Sequence, residues 1–444
     1  MDRRWWTRAW VLQESVLGRR LEFACGKKCA QGEDILGGFG ATETFRDKLY
    51  SILSDNHNID LDVHSGNVID SMRRMREARL KGTVYSMQTC HIRSISALAT
   101  DPRDYVYAKL GLASDGHFVQ PDYTKEVQET YRDFVMGHIE ATHSLDIIYF
   151  DARPRQTPML PSWVPDWNAS YGANHLIQET TTVSISAGVS QLRRKLLEDT
   201  PQDSVANFDI QSNNSSRLIV SCCFFDPVDS VGAAGEVGWE GVEAVRPMAQ
   251  SGSSHAAYGD ESATFDALWR TLVANKGFGV REVALITGSI LAAITESNEI
   301  SQARSGHRFK NYYENVKNFK VASKTVDEWM SWARKYLPSP PFTVTEQIEA
   351  ETSFVEVCYF RRLLTTSRGY IGIAPCEMEP GDQVCIVKGS TLSLILRRVA
   401  RGGAENSDHN DYSSSDWSLV GAAYVHGIMD SEVERRDFVA VGIV

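Results

Sequence analysis

The chain has 444 residues, of which 42% are hydrophobic and 23% charged, and its formal net charge is -11. These values are typical of a globular protein with two or three domains, because one ordinary core does not extend over so long a chain. The negative charge excludes a general affinity for nucleic acid or anionic lipid, since phosphate binds to basic faces. We therefore expect no nucleic-acid partner and no membrane partner.

No membrane or targeting segment is recognisable in the sequence. The longest weakly polar run, residues 283–295, is shorter than the roughly 20 residues of a membrane helix, so we predict a buried helix there. The first residues carry charges and tryptophans without the apolar stretch of a signal peptide. The eight cysteines have neither disulfide nor zinc-site spacing, which indicates free thiols in a reducing compartment. The prediction is a cytoplasmic protein without a metal site.

A helix is predicted over residues 7–18, TRAWVLQESVLG. Its period of about 3.6 residues places Trp10, Gln13 and Leu17 in one stripe, with Glu14 beside them. No basic residue stands three or four positions from Glu14, so its carboxylate has no partner within the helix. Two interpretations follow: an arginine from another element pairs with Glu14 and anchors the helix, or the carboxylate has a chemical task. For Trp10 we favour a place in the core.

The next segments predict a small α/β fragment. Residues 21–26, LEFACG, have the length and composition of a strand. Residues 67–81 form a predicted helix with Ile69 and Met72 on its apolar side and five basic residues elsewhere. We interpret those basic residues as a solvated face.

Residues 101–113, DPRDYVYAKLGLA, carry the signals that begin a helix. Asp101 stands at the N-cap position, Pro102 at the first helical position and Asp104 in the first turn. Both carboxylates are therefore predicted to satisfy backbone donors rather than to act in catalysis. A second helix is predicted over residues 123–142.

Residues 161–167, PSWVPDW, cannot be helical because two prolines interrupt them. We predict an extended segment in which Trp163 and Trp167 cover a core and Asp166 lies at a turn. Stacking of a ligand on the tryptophans is the second interpretation.

The rest of the chain separates into a mainly helical region, residues 121–345, and a β region, residues 346–444. The helical region contains Ser- and Gly-rich stretches at 171–215 and 246–262 that we predict to be flexible loops. In the last region the period changes to that of strands separated by Pro-Gly and Gly-Ser turns, which predicts an antiparallel β subdomain or small barrel. The predicted fold class is mixed α+β.

Separated motifs, in a consistent order along the chain, resemble those of fungal heterokaryon incompatibility (HET) domain proteins. The Arg, Trp, Gln-Glu motif of the family, its following helix and its tryptophan segment all have counterparts, and GYIGIAP, EPGDQVCIV and LVGAAYVHGIMD resemble its carboxyl-terminal region. The matching residues of the first three motifs are Arg8, Trp10, Gln13, Glu14, Asp101, Arg103, Asp104, Trp163, Asp166 and Trp167.

The resemblance has one departure. The family's strand motifs of the types Ser-Tyr-x-Trp-Gly and Trp-Ile-Asp-x-Leu-Cys-Ile have no match upstream of Trp10. The resemblance therefore implies that residues 1–120 are the carboxyl-terminal part of a HET domain, a remnant of a TIR-like α/β fold that lacks its first strands.

The resemblance also implies a function. HET domains are similar in outline to TIR domains, some of which cleave NAD with a helix-borne glutamate in a Trp-x-Leu-x-Glu pattern, and Trp10 and Glu14 have the same spacing. Glu14 would then stabilise the positive charge on the ribose as nicotinamide leaves, with NAD as the substrate. The protein would act in self/non-self recognition and trigger cell death on meeting an incompatible protein partner.

Two alternatives stay open. One is a shortened HET-like cyclase or isomerase of secondary metabolism, which binds a small molecule and uses Tyr424, His426 and Asp430 as acid and base. Since strand alternation places Tyr424 and His426 on one face, a plain half-buried strand also explains them, and we favour that interpretation. The other is a silent fragment whose free strand edge near residues 21–26 pairs with a partner or with a second copy in a homo-oligomer.

Overall fold

The computed structural model describes residues 4–38, 63–94, 97–149, 155–168, 206–210, 216–233, 247–250, 256–274, 281–295, 304–337, 341–358, 361–399, 415–428 and 437–444. The chain forms two compact units. Unit 1 comprises Met1–Thr142, Phe150–Leu160 and Val164–Ala173, and unit 2 comprises His143–Tyr149, Pro161–Trp163 and Asn174–Val444.

Unit 1 is built mainly from helices in its described residues. Its elements are α1 (Ala9–Leu17), β1 (Glu22–Cys25), β2 (Lys28–Gln31), α2 (Val63–Leu80), α3 (Met87–Arg93), α4 (Asp104–Leu110) and α5 (Val127–Thr142). Helix α1 packs against α2 and α4. The buried core between them contains Leu12, Val16, Met72 and Ala108. This apolar face is what holds a helix of only two to three turns in place.

The predicted strand at residues 21–26 is present as β1. It pairs antiparallel with β2 in a two-stranded hairpin, and most residues of both strands are exposed. The described residues of unit 1 show no larger sheet around this hairpin. The likeness to a TIR-type α/β fold stays a prediction.

Four of the five described helices of unit 2 lie in the region predicted to be mainly helical, and the fifth, Val344–Cys358, lies almost wholly in the region predicted to be β. The five helices are α6 (Glu261–Leu272), α7 (Arg281–Ile294), α8 (Arg304–Val316), α9 (Val326–Tyr336) and α10 (Val344–Cys358), with a short hairpin of β5 (Lys320–Val321) and β6 (Lys324–Thr325) before α9. Helix α7 coincides with the predicted buried helix. Helix α9 begins at a capping box, in which Thr325 Oγ1 accepts from the Glu328 amide and the Glu328 carboxylate accepts from the Thr325 amide.

The strands of unit 2 close into a small barrel. The strands are β3 (Ala206–Ile210), β4 (Ser216–Val231), β7 (Arg361–Thr366), β8 (Ile371–Pro375), β9 (Gln383–Val387), β10 (Ser393–Arg398), β11 (Asp416–Val425) and β12 (Val439–Ile443). The pairings β4–β9–β10–β11–β8–β7–β4 form a closed, antiparallel six-stranded ring. Strand β12 adds an antiparallel pair with β4 and a parallel pair with β11. The mixed α+β class is therefore confirmed, and the sheet is mixed rather than purely antiparallel because of the β11–β12 pair.

Strand β3 lies within the stretch 171–215 that was predicted to be a flexible loop, and strand β4 lies within the region predicted to be mainly helical. Its sequence, SRLIVSCCFFDPVDSV, contains Asp226 and Pro227, which are ordinarily depleted in strands. The structure accommodates them through a register shift between Phe224 and Asp226 in the pairing with β9. A bulge of this kind takes up a residue that cannot continue the hydrogen-bond ladder between two strands. Strand β4 therefore pairs with β3 and β12 at one end and with β9 and β7 at the other.

A buried arginine joins several segments at the barrel. Arg362 of β7 is 3% exposed, and its guanidinium donates to the carbonyl oxygens of Gly232 (2.6 Å) and Pro247 (2.7 Å) and, more weakly, to those of Cys376 and Met378. Carbonyl oxygens satisfy the donors of a guanidinium that water cannot reach.

Two short segments that precede the barrel strands in sequence pack on the barrel. Asp146 accepts from the amide and the hydroxyl of Thr391, at 2.9 and 3.0 Å, and the Leu145 amide donates to the Gly389 carbonyl. Ser162 bonds the last residue, Val444, and its hydroxyl accepts from the amide of Leu419 in β11. Residues 143–149 and 161–163 thus belong to unit 2.

Candidate functional site

The buried face of helix α1 differs from the predicted stripe. Its buried residues are Ala9, Val11, Leu12, Ser15 and Val16. Trp10, Gln13 and Leu17 are only partly buried, and Trp10 and Leu17 pack at the margin of the core. The stripe is displaced because the apolar residues that meet α2 and α4 lie on the opposite side of the helix from Glu14.

Glu14 is exposed on α1, and its side chain has no hydrogen bond or ion pair with any residue in the described part of the chain. The helix is held by another group. Arg76 of α2 donates to the carbonyl oxygens of Ser15 and Gly18 and pairs with Glu33. Arg76 is thus an exception to the solvated basic face predicted for residues 67–81, since its guanidinium is buried at the end of α1.

The other residues of the first motif have structural contacts. Arg8 is exposed at the N-cap position of α1, and the amide of the next residue, Ala9, donates to the Leu98 carbonyl at 2.8 Å. Gln13 lies against the end of α4, where a Cβ at Gly111 would stand 3.2 Å from its Cδ. Gly111 therefore gives Gln13 the room to pack there.

Residues 101–103 form a turn that precedes α4 and are not part of the first turn of that helix. The helix begins at Asp104, with Arg103 rather than Asp101 in the N-cap position and no side-chain cap. Asp101 accepts from the Arg103 amide at 3.0 Å and from its guanidinium at 2.7 to 2.9 Å. The N-cap prediction was wrong because a local bond to Arg103 competes for the carboxylate.

The same turn holds the segment that leads into α5. The Arg103 guanidinium donates to the carbonyl oxygens of Tyr123 and Lys125, and the Tyr123 hydroxyl donates to Asp104 at 2.6 Å. Arg103 and Asp104 thus anchor this segment, and Asp104 accepts from a side-chain hydroxyl rather than from the backbone donors predicted for it. Helix α5 begins four residues later than predicted because Asp122 forms a turn with Thr124.

The PSWVPDW segment is non-helical, as predicted, and its tryptophans are buried. In unit 1, the Asp166 carboxylate accepts from the amides of Gln156 (2.5 Å) and Thr157 (2.7 Å) and from the Thr157 hydroxyl. Trp167 packs edge to face on His91 of α3, with ring centroids 4.3 Å apart. Trp163 belongs to unit 2 and is fully buried there. These contacts leave Asp166 as a turn residue.

A buried pair that sequence reasoning missed lies behind Trp167. The Nζ atom of Lys109, in α4, is 2.7 Å from Nδ1 of His91, and Lys109 is 2% exposed. Burial lowers the pKa of Lys109 to about 7, and desolvation together with Lys109 lowers the pKa of His91 well below its usual value. The one sequence signal was a lysine in the otherwise apolar helix YVYAKLGLA.

Tyr424 and His426, near the end of β11, are brought together as their alternation predicted. The Tyr424 hydroxyl is 3.0 Å from Nδ1 of His426. Tyr258 hydrogen-bonds the His426 carbonyl and accepts from the Ile371 amide, both at 2.9 Å. Tyr424 is buried and His426 partly exposed. Asp430, the third residue of that hypothesis, lies outside the described residues.

Within the described ranges, no group of three His, Cys, Asp or Glu residues could hold a metal ion. No helix in that part of the chain has both the length and the apolar composition required to cross a bilayer.

Known proteins match both the barrel region and the chain as a whole. Residues 245–441 match the family described as the Het-6 beta-barrel domain. The chain is similar to "Heterokaryon incompatibility protein 6, OR allele" of Neurospora crassa, with 23% identity over 99% of this chain and 67% of that protein. No solved structure matches significantly. The predicted resemblance to fungal heterokaryon incompatibility proteins is thereby confirmed.

Proposed function

We propose that this chain, a protein of the fungal heterokaryon incompatibility type, acts in self/non-self recognition and triggers cell death on meeting an incompatible protein partner. The observation that carries the proposal is the extent of the similarity to the Neurospora crassa protein, which covers 99% of the chain and therefore both units. The match to the Het-6 beta-barrel domain supports it independently from the second half of the chain.

We propose further that NAD cleavage is the route to cell death and that Glu14 is its catalytic carboxylate. Cleavage breaks the bond between ribose and nicotinamide and adds water to the ribose. Glu14 stands in the Trp-x-Leu-x-Glu spacing, is exposed to a substrate, and is engaged by no other described side chain. Arg76, rather than Glu14, anchors the helix, so the carboxylate is available for chemistry. Because water screens an exposed carboxylate, the mechanism requires NAD or the partner to cover it.

The test is expression in a fungal strain paired with compatible and incompatible strains, with viability and cellular NAD measured together. The wild type is compared with Glu14→Gln, and the control is Glu22→Gln, which alters an exposed carboxylate on β1. We expect death and NAD loss in the incompatible pairing with the wild type and with Glu22→Gln, and neither with Glu14→Gln. Survival of the wild-type incompatible pairing would overturn the recognition proposal. Death with unchanged NAD, or undiminished NAD loss with Glu14→Gln, would overturn only the catalytic one.

A second candidate function is a cyclase or isomerase that uses His426. The observation that favours it is the bond between the Tyr424 hydroxyl and His426 Nδ1, because such a bond orients the imidazole, and an oriented imidazole suits a general acid or base. Buried Tyr424 would position the ring and the partly exposed His426 would contact the substrate. If this function holds, a gene deletion and His426→Gln remove the same metabolite from the strain's extract, and Tyr424→Phe lowers its amount. An unchanged metabolite profile in the deletion strain would exclude the candidate.

A further inference from the structure

Two basic side chains of unit 1, buried Lys109 and partly buried His91, share a hydrogen bond. Lys109 Nζ and His91 Nδ1 are 2.7 Å apart, and Lys109 is 2% exposed. Helix α3 also presents the Cys90 thiol to Lys109, and α4 itself presents the Tyr105 ring, whose centroid is 5.9 Å from Nζ. No carboxylate bonds or pairs with Lys109 within the described residues.

The hydrogen bond between Lys109 and His91 depends on how many protons the two side chains hold. A hydrogen bond between an amine and an imidazole nitrogen requires that at least one of the two groups be neutral. A second proton would place two cations at hydrogen-bond distance without a compensating negative charge on Lys109, which a buried site does not tolerate. The hydrogen bond therefore admits at most one proton on the pair, and the burial of Lys109 without a bonded carboxylate among the described residues disfavours even that one. In water the same two side chains hold one proton at neutral pH and two below a pH of about 6.5.

His91 also packs against the tryptophan segment through Trp167. The His91 ring packs edge to face on Trp167 at 4.3 Å, and Trp167 packs in the same manner on Phe134 of α5 at 5.4 Å. Displacement of His91 from Lys109 thus removes one wall of the Trp167 site. The segments affected are α3, which carries His91, and residues 164–168.

We propose that His91 and Lys109 form a proton-operated switch, in which uptake of a proton separates α3 from α4 and releases residues 164–168 from the core of unit 1. The switch opens as the pH falls. This inference is independent of the proposed function, because it concerns the stability of unit 1 and requires neither NAD nor a partner.

The direction follows from proton linkage. A lysine in water has a pKa of about 10.4, so between that pH and the lower pKa of Lys109 the open state binds one proton more than the closed state. The closed-to-open ratio then falls about tenfold for each unit of pH decrease. Below pH 6.5 the protonation of His91 lowers the closed-to-open ratio further, since the pKa of His91 is lowered in the closed state as well. Opening therefore increases steadily from alkaline to mildly acidic pH.

The test is amide hydrogen exchange of the full chain between pH 6 and pH 9, followed in peptides that contain α3 and residues 164–168. At each pH the wild type is compared with Lys109→Met, which keeps the stem but removes the amine, so that the intrinsic pH dependence of exchange cancels. We expect wild-type protection relative to this variant to fall by up to tenfold per pH unit. The control Lys81→Met, at an exposed position beyond the end of α2, should behave as the wild type. Equal pH dependence in the wild type and Lys109→Met would overturn the proposal.

A second measurement uses the wild type alone and therefore does not depend on the folding of the variant. The Lys109 ammonium of the wild type is titrated by nitrogen-15 NMR with labelled lysine. A midpoint near 7 supports the switch. A midpoint above pH 9 would show that the amine stays charged in the closed state and would overturn it.

Discussion

The guanidinium of Arg76 pairs with the carboxylate of Glu33, with Nη2 2.9 Å from Oε1, at the carboxyl end of helix α1. Its Nη1 donates to the carbonyl oxygens of Ser15 at 2.9 Å and Gly18 at 2.7 Å. The last carbonyls of a helix have no partner within it, so Arg76 caps α1 from another element and Glu33 orients the cap. Helix α1, which carries Glu14, is therefore fixed independently of the Glu14 side chain.

Removal of this cap should destabilise unit 1. Arg76→Ala removes the donor of one buried carbonyl, that of Ser15, and one partly buried carbonyl, that of Gly18, and we expect the free energy of unfolding to fall by about 2 kcal/mol. Urea denaturation followed by circular dichroism measures the change. The matched control is Arg74→Ala, since Arg74 is exposed and pairs with Asp70 on the same helix, and its loss should cost about 0.5 kcal/mol or less. Equal effects of the two substitutions would show that Arg76 is no cap.

The Asp101 carboxyl should titrate at an unusually low pH. The Arg103 guanidinium, with its amide, holds the pKa of Asp101 below the usual value. A carboxyl of lowered pKa stabilises the folded state above the unfolded pKa of about 3.9, and this contribution is lost as the pH falls through the folded pKa. Carbon-13 NMR of the side chain should give a midpoint below 3.8, and Arg103→Gln should raise it. An unchanged midpoint in that variant would assign the shift to another cause.

The EPGDQ turn should depend on one ion pair. Asp382 is 4% exposed and receives two parallel bonds of 2.8 Å from Nε and Nη2 of Arg397 in β10, while its Oδ2 also accepts from the Glu379 amide. Asp382→Ala removes the hydrogen bonds of a buried carboxylate, while the Arg397 left behind is 37% exposed and lies 3.6 Å from Glu379, so the substitution should cost about 2 kcal/mol of unfolding free energy. A double-mutant cycle with Arg397→Met should give a coupling of at least about 1 kcal/mol. Additive single effects would contradict a direct interaction.

Gly372 in GYIGIAP should tolerate no side chain. A Cβ there would stand 2.8 Å from both the Tyr424 carbonyl oxygen and a Val425 methyl group, where β8 pairs with β11. Gly372→Ala should therefore cost about 1 to 3 kcal/mol through overpacking, and the strain falls on the strand that carries Tyr424 and His426. Thermal unfolding measures it. Gly37→Ala is the control, since a Cβ at Gly37 meets no atom within 4 Å, and it should leave the stability unchanged or slightly raised.

Local patterns determined many elements of this protein. Helix α9 has a Thr-Glu capping box and prolines after its end, and β7 to β12 follow runs of β-branched and apolar residues separated by Gly turns. Those signals involve residues only a few positions apart, so they act before any tertiary contact forms. The ordered motifs likewise predicted, from residues alone, the similarity to fungal heterokaryon incompatibility proteins.

Contacts between distant residues decided the rest. Arg76 caps a helix 58 positions away, Lys109 meets His91 across 18 positions, and β4 enters the barrel only because β9 and β7 accept its irregular register. The sequence does show that Glu14 lacks a partner in its own helix, but the exposed position of its carboxylate depends on how α1 packs against α2 and α4. Such packing depends on which apolar faces meet in three dimensions. The spacing of residues along one helix does not indicate which other element its apolar face will contact.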